Sequence, residues 1–208
     1  PAQRSRPPIP ELEITMTKRK VQLLTVVIAT IPALALAFQF ATEGPGANPI
    51  EEVTHVTGEW GLRFVLLSLA VTPARRWFGW AWAAPLRRTL GLAGFAYAVL
   101  HLTTWAFFDL GLDVAAILED LAERPYVMAG MAAFSLLGVL AGTSTKRSMK
   151  RLGAGWAKLH RLVYPAAILA VIHHFWLIKA DYRPAIVHGA LLAALFAARL
   201  AWRARQAT

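Results

Sequence analysis

Along the 208 residues, long apolar runs alternate with short polar gaps. Six runs can be drawn, at about 21–41, 58–73, 89–108, 126–142, 157–178 and 185–202. Each comes close to the roughly 20 residues that a helix needs to cross about 30 Å of hydrocarbon. The second run is the weakest, because it contains Arg63 and ends at Thr72-Pro73. Pro32 and Pro165 fall inside the first and fifth runs. Each removes a backbone donor and is expected to kink its helix, which neighbours in a bundle tolerate. The pattern predicts an all-α integral membrane six-helix bundle. Residues 1–17, PAQRSRPPIPELEITMT, are proline-rich and polar and read as a flexible tail. The chain therefore divides into a tail over 1–20 and a transmembrane domain over 21–205.

The charges in the gaps orient the bundle. Arg4, Arg6, Lys18, Arg19 and Lys20 precede the first run; Arg75, Arg76, Arg87 and Arg88 follow the second. Lys146, Arg147, Lys150 and Arg151 follow the fourth, and Arg199, Arg203 and Arg205 close the sixth. The alternate gaps carry Glu43, Glu51, Glu52, Asp109, Asp113, Glu119, Asp120, Glu123 and Asp181, against only Arg124, Lys179 and Arg183. Basic residues stay on the cytoplasmic side, so both termini are expected there. This alternation also disposes of a nucleic-acid reading of the net charge of +10, because the basic residues mark topology rather than one binding face. At 57% hydrophobic residues, a soluble domain would be left with large exposed apolar patches. The first run has no small-residue cleavage site and reads as a spanning helix rather than a signal peptide. The chain has no cysteine, which removes disulfides, thiolate-bound clusters or zinc, and covalent haem attachment.

Against this apolar background the histidines stand out. Imidazoles at membrane depth are costly without partners and mark function by default. Segment five, WAKLHRLVYPAAILAVIHH (156–174), carries His160 near its cytoplasmic end and His173 and His174 near the other. His173 lies thirteen residues beyond His160, and His101 lies thirteen beyond Arg88 at the inner start of segment three. At about 1.5 Å per residue both reach roughly 20 Å outward. His101 and His173 are thus expected at one depth on two helices, where two imidazoles can clamp an iron porphyrin from both faces. His160 has no counterpart, since RRTLG (87–91) holds no histidine. An inner haem would have one evident histidine ligand. Arg87 and Arg88 are candidate partners for haem propionates, or simply cytoplasmic anchors. On an ideal helix at about 100° per residue, His174 rather than His173 shares the face of His160. A kink at Pro165, or two haems approached from different sides, would reconcile His173. His55, in an outer gap, and His188, near the outer end of segment six, read as structural or solvated.

The strings VTPARR (71–76), RRTLGLAGFAYAVLHL (87–102), ERPYVMAG (123–130), LAGTS (140–144) and LGAGWAKLHRLVYPAAILAVIHHFW (152–176) resemble one known family. It is the MsrQ family, the haem-binding membrane subunits of the bacterial periplasmic methionine sulfoxide reductase system, within the ferric-reductase-like transmembrane superfamily. The resemblance covers roughly residues 55–180. It implies a b-type haem electron conduit in the bacterial inner membrane, with one or two haems. Electrons would pass from the quinone pool to a periplasmic molybdopterin-containing methionine sulfoxide reductase that repairs oxidised proteins. The family's haem histidines carry over onto His101, His160 and His173, leaving His174 outside the ligand set. A flavin mononucleotide (FMN) is implied by the resemblance alone; no flavin-binding signature is present. No G-x-G-x-x-G unit occurs either, so a quinol or a partner protein must supply the electrons. The chain would be the electron-transfer subunit of an oxidoreductase complex, without substrate catalysis of its own. Its acidic outer gaps 41–57 and 109–124 would face the partner. The main alternative is a stand-alone quinol-dependent ferric or oxygen reductase. A small transporter is disfavoured, because midplane polar groups other than the histidines are sparse.

Overall fold

The computed structural model describes residues 11–177 and 181–207, and these residues are all-α. Helix α1 runs over Glu11–Glu43 and α2 over Pro49–Phe78. Helix α3, Leu86–Thr103, continues as a π-helical turn over Thr104–Asp109. A short α4 (Val114–Glu123) leads into α5 (Pro125–Gly142). Two brief helices, α6 (Lys146–Leu152) and α7 (Ala154–Leu159), precede a 3-10 turn at His160–Leu162. Helix α8 covers Val163–Leu177 and α9 Arg183–Ala207.

The helix boundaries follow local chemistry. Asn48 caps α2 by accepting the Glu51 N–H at 3.3 Å, Pro49 takes the first position, and Gly79 ends the helix in the left-handed region at φ 68°. Asp113 caps α4 through bonds of 2.8 and 3.3 Å from the N–H groups of Ala115 and Ala116. Pro125 starts α5. The expected outer gap 109–124 thus contains a helix. So does the second half of the tail expected to be flexible: residues from Glu11 on belong to α1, whereas residues 1–10 lie outside the described part.

Among the described residues, four stretches are long and apolar enough to cross a membrane: Arg19–Glu43, Ala81–Asp109, Pro125–Gly142 and Arg183–Gln206. Of the six expected spans, the second and fifth fall outside this set. Helix α2 carries Glu59 and Arg63, and α8 has only 15 residues. Both are inner helices of the bundle, where packing against other helices replaces contact with lipid. Leu62, Val65, Leu66 and Leu69 of α2 form the main core with Leu137 and Leu140 of α5, Ala166 and Ala167 of α8, and Leu192 of α9. By contrast, α1 exposes Leu23, Leu24, Ile28, Ile31, Leu34 and Phe38, the side chains a bilayer would cover.

Two antiparallel pairs build the centre: α2 packs along α3, and α5 along α8. Glycine permits the first approach, since a Cβ on Gly94 would lie 2.9 Å from Val65 Cγ2 and 3.1 Å from the Gly61 carbonyl. Helix α1 leans on α3, and α9 on α2 and α8. Tyr97 of α3 enters the backbone ladder of α1 beside Pro32. Its hydroxyl accepts from Ala33 N at 3.1 Å and donates to the Ala29 carbonyl at 2.8 Å.

A second proline is compensated by an arginine. Pro73, inside α2, has no N–H to offer the Leu69 carbonyl four residues back. Arg199 of α9 fills the gap: its Nη2 donates to that carbonyl, and its Nη1 to the Leu195 carbonyl at 3.1 Å. Its guanidinium also lies 5.6 Å from the centre of the Tyr164 ring. Arg199→Leu is expected to destabilise the protein by about 1–3 kcal/mol, the cost of an unpaired buried acceptor. The loss should shrink in a Pro73→Ala background, which restores the missing N–H. Thermal unfolding in detergent of the two single variants and the double variant measures this.

Candidate functional site

His101 and His173 meet. The first projects from α3 and the second from α8, and their ring centres are 5.9 Å apart with planes at 81°. Each ring is held by the same device. His101 Nδ1 lies 2.8 Å from the Thr54 carbonyl of α2, and His173 Nδ1 lies 2.7 Å from the Tyr126 carbonyl of α5. A carbonyl only accepts, so Nδ1 carries the proton in each ring and Nε2 keeps its lone pair. A metal-ligating imidazole is oriented in this way.

Glycine makes both carbonyls reachable. A helical side chain covers the turn N-terminal to its own Cα, so the residue four places on shields a given carbonyl. Four places after Thr54 stands Gly58, and four after Tyr126 stands Gly130. The rings occupy the space a side chain would fill. A Cβ on Gly58 would lie 2.8 Å from His101 Nδ1, and one on Gly130 would lie 2.8 Å from His173 Nδ1.

The two histidines line a cavity of about 790 Å³ between the helix pairs. Its depth is apolar, with Leu62, Val65, Met131, Phe134, Leu137 and Ala170. Its mouth, at the acidic end of the bundle, is polar, with Glu51, Glu59, Asp109, Arg124 and Asp181. The π-helical turn after α3 delivers Trp105 and Asp109 to this wall. Trp105 Nε1 donates to Asp120 at 3.4 Å, and Arg124 Nη1 donates to the same carboxylate oxygen at 3.1 Å and to the Tyr126 hydroxyl at 3.5 Å. The Tyr126 hydroxyl, followed by the charges of Asp120 and Asp109, raises the Arg124 pKa above its ordinary value.

A haem fits this arrangement. With metal–nitrogen bonds of about 2 Å, an iron held between two imidazoles sets their ring centres roughly 6 Å apart. Both free Nε2 atoms belong to rings that line one cavity, and the cavity falls within the about 300–1,000 Å³ of cofactor pockets. Among the described residues no group of three or more His, Cys, Asp or Glu could hold a bare metal ion, and a porphyrin needs only the two axial donors.

The other histidines are placed differently. His174 turns to α9 and meets His188, ring centres 5.2 Å apart. His160 sits at the basic end in the 3-10 turn, stacked on Trp156 at 4.0 Å, with Nε2 3.1 Å from the Thr143 hydroxyl. The expected segment 157–178 is broken by that turn between α7 and α8, so angular counting from His160 to His173 along one ideal helix does not apply. Arg87 is within electrostatic reach of His160. Arg88 faces the other way, into a cleft of about 460 Å³ between α1 and α3 with Gln22, Thr30 and Tyr97. Neither arginine lines the large cavity. Sequence reasoning missed Gly58, Gly130 and Arg124; the signal available was an isolated glycine inside each helical run, which marks close approach.

A bundle of this kind, with a facing histidine pair, is a ferric-reductase-like transmembrane domain: residues 57–171 match the family described as Ferric reductase like transmembrane component. The match takes in Gly58, His101, Gly130 and His160 and ends two residues before His173. A relative from Herminiimonas arsenicoxydans, named protein-methionine-sulfoxide reductase heme-binding subunit MsrQ, is 43% identical over 185 residues, 88% of this chain and 85% of its own length. Relatives with the same name from Ralstonia nicotianae and Rhodospirillum rubrum are 40% identical over 197 residues (93% of this chain, 91% of theirs) and 43% identical over 180 residues (86% of each). The chain belongs to the MsrQ family.

Proposed function

We propose that the chain is a b-type haem electron-transfer subunit of the bacterial inner membrane. It would carry electrons from the quinone pool to a periplasmic molybdopterin-containing methionine sulfoxide reductase. One observation carries the reading: two imidazoles on different helix pairs, each with Nδ1 committed to a carbonyl and a lone pair left on Nε2, line one cavity with an apolar depth. The names of the relatives, heme-binding subunits of a protein-methionine-sulfoxide reductase, support a haem and a methionine sulfoxide reductase partner.

In this reading α1, α2, α3, α5, α8 and α9 cross the bilayer, with both termini in the cytoplasm. The charge alternation supports this: the cavity mouth is acidic and the opposite end basic. His101 and His173 are the axial ligands of an outer haem. His160 is the candidate ligand of an inner one, with Arg87 a candidate for its propionates; Thr143 would then give up its bond to Nε2. Arg88 is kept as a second propionate candidate on sequence grounds. Bound haem supplies one-electron redox chemistry. The chain supplies the two donor nitrogens, their orientation and an apolar lining in the depth of the cavity. An FMN remains an expectation of the family resemblance, tested by the flavin released on denaturation.

The test is electron delivery by the purified subunit in lipid vesicles. Reduced with a quinol analogue, it should reoxidise rapidly only when the methionine sulfoxide reductase subunit and methionine sulfoxide are both present. Equally fast reoxidation by ferric citrate or oxygen alone would favour a stand-alone reductase.

A further inference from the structure

The large cavity has a charge pattern that its proposed cofactor must satisfy. Its charged lining residues are Glu51, Glu59, Asp109, Asp181 and Arg124. Four are acids. A porphyrin held between His101 and His173 carries two propionates, and carboxylates placed among those acids would be repelled. Arg124 is the one Lys or Arg among the described lining residues.

The guanidinium is also unsaturated. Among the described residues its side-chain hydrogen bonds are both made by Nη1, to Asp120 at 3.1 Å and to the Tyr126 hydroxyl at 3.5 Å. Nε and Nη2 remain for a further acceptor, and a guanidinium suits a carboxylate in geometry and charge. Position adds to this. Arg124 is the cap of α5, two residues before Tyr126, whose carbonyl orients His173. The cation and the ligand-orienting carbonyl therefore belong to one turn. Trp105, also in the wall, donates to Asp120 at 3.4 Å and braces the same carboxylate from α3.

We infer that Arg124 is the propionate anchor of the outer haem: it binds a carboxylate of the porphyrin at the cavity mouth and so fixes which edge of the macrocycle faces out. This rests on the haem reading above and goes beyond it by assigning a residue outside the histidine set. Arg87 and Arg88, the propionate candidates at the basic end, do not line this cavity.

The experiment compares full-length wild type, Arg124→Gln, Arg124→Lys and Asp120→Asn. Each is stripped of cofactor and reconstituted in detergent with haem b or with its dimethyl ester, in which both propionates are blocked. With haem b, Arg124→Gln should bind about tenfold more weakly, as expected for a lost charge-assisted bond, and should show a lower midpoint potential because a cation near the iron is gone. Arg124→Lys should recover most of both. Asp120→Asn breaks the ion pair but keeps the cation, so it should hold haem b as well as wild type. With the ester, wild type and Arg124→Gln should bind alike. An Arg124→Gln variant that matches wild type with haem b overturns the proposal. So does an Asp120→Asn variant that fails as Arg124→Gln does, since Arg124 would then act only through Asp120. A wild type that takes up no haem at all overturns the underlying reading with it, which is a distinct result.

Discussion

Alanine in place of Gly130 or Gly58 is expected to drive out the outer haem while leaving the helices intact or firmer. Alanine favours a helix over glycine by about 1 kcal/mol, so the local backbone effect is stabilising. The cost falls on the histidines. The new methyl carbon would lie 2.8 Å from His173 Nδ1 and 2.9 Å from its Cε1, or 2.8 and 3.0 Å from the same atoms of His101. Those distances are well inside van der Waals contact, so the ring must move. Moving it breaks the Nδ1 bond to Tyr126 or Thr54 and turns Nε2 away from the shared axis. Outer-shell partners of metal-bound histidines are worth about 10–100-fold in affinity, and a displaced ring should cost at least as much. Haem per protein after purification, read beside circular dichroism, separates the two effects. Alanine variants that are helical and fully loaded would contradict the cradle.

The adjacent histidines of α8 should behave oppositely. Under the proposed ligation, His173→Ala would remove one of two axial donors and should lower haem retention by more than the about 100-fold that an outer-shell loss can reach. His174→Ala should retain haem, because its ring faces His188 rather than His101. Haem retention by both single variants, measured under one purification protocol, checks this contrast. Loss on substituting His174 but not His173 would mean that the ligand assignment on α8 is inverted.

Much of this was legible in the sequence, for identifiable reasons. The meeting of His101 and His173 was legible because depth follows from rise per residue, an additive quantity that survives kinks. Angle does not survive them. The 3-10 turn at His160–Leu162 interrupts the helix, so angular counting from His160 could not choose between His173 and His174. Spans were legible where lipid selects the residues, as in α1. They were least so in α2, whose Glu59 and Arg63 pair with each other within the helix and whose apolar side chains pack in the core. The supports of the site were hidden because they are backbone atoms. No residue type announces the carbonyls of Thr54 and Tyr126; only the glycines four places on mark them. Arg199 was read as a topology marker and proved to be the partner of a carbonyl that Pro73 leaves unpaired.

The central claim is that His101 and His173 hold one haem between them. The optical spectrum of the dithionite-reduced protein tests it most directly, recorded for wild type, His101→Ala and a His55→Ala control. Wild type and the control should show the sharp bands of a six-coordinate b-type haem, and His101→Ala should lose those of the outer haem. A colourless, well-folded wild type, or outer-haem bands unchanged in His101→Ala, would contradict the account.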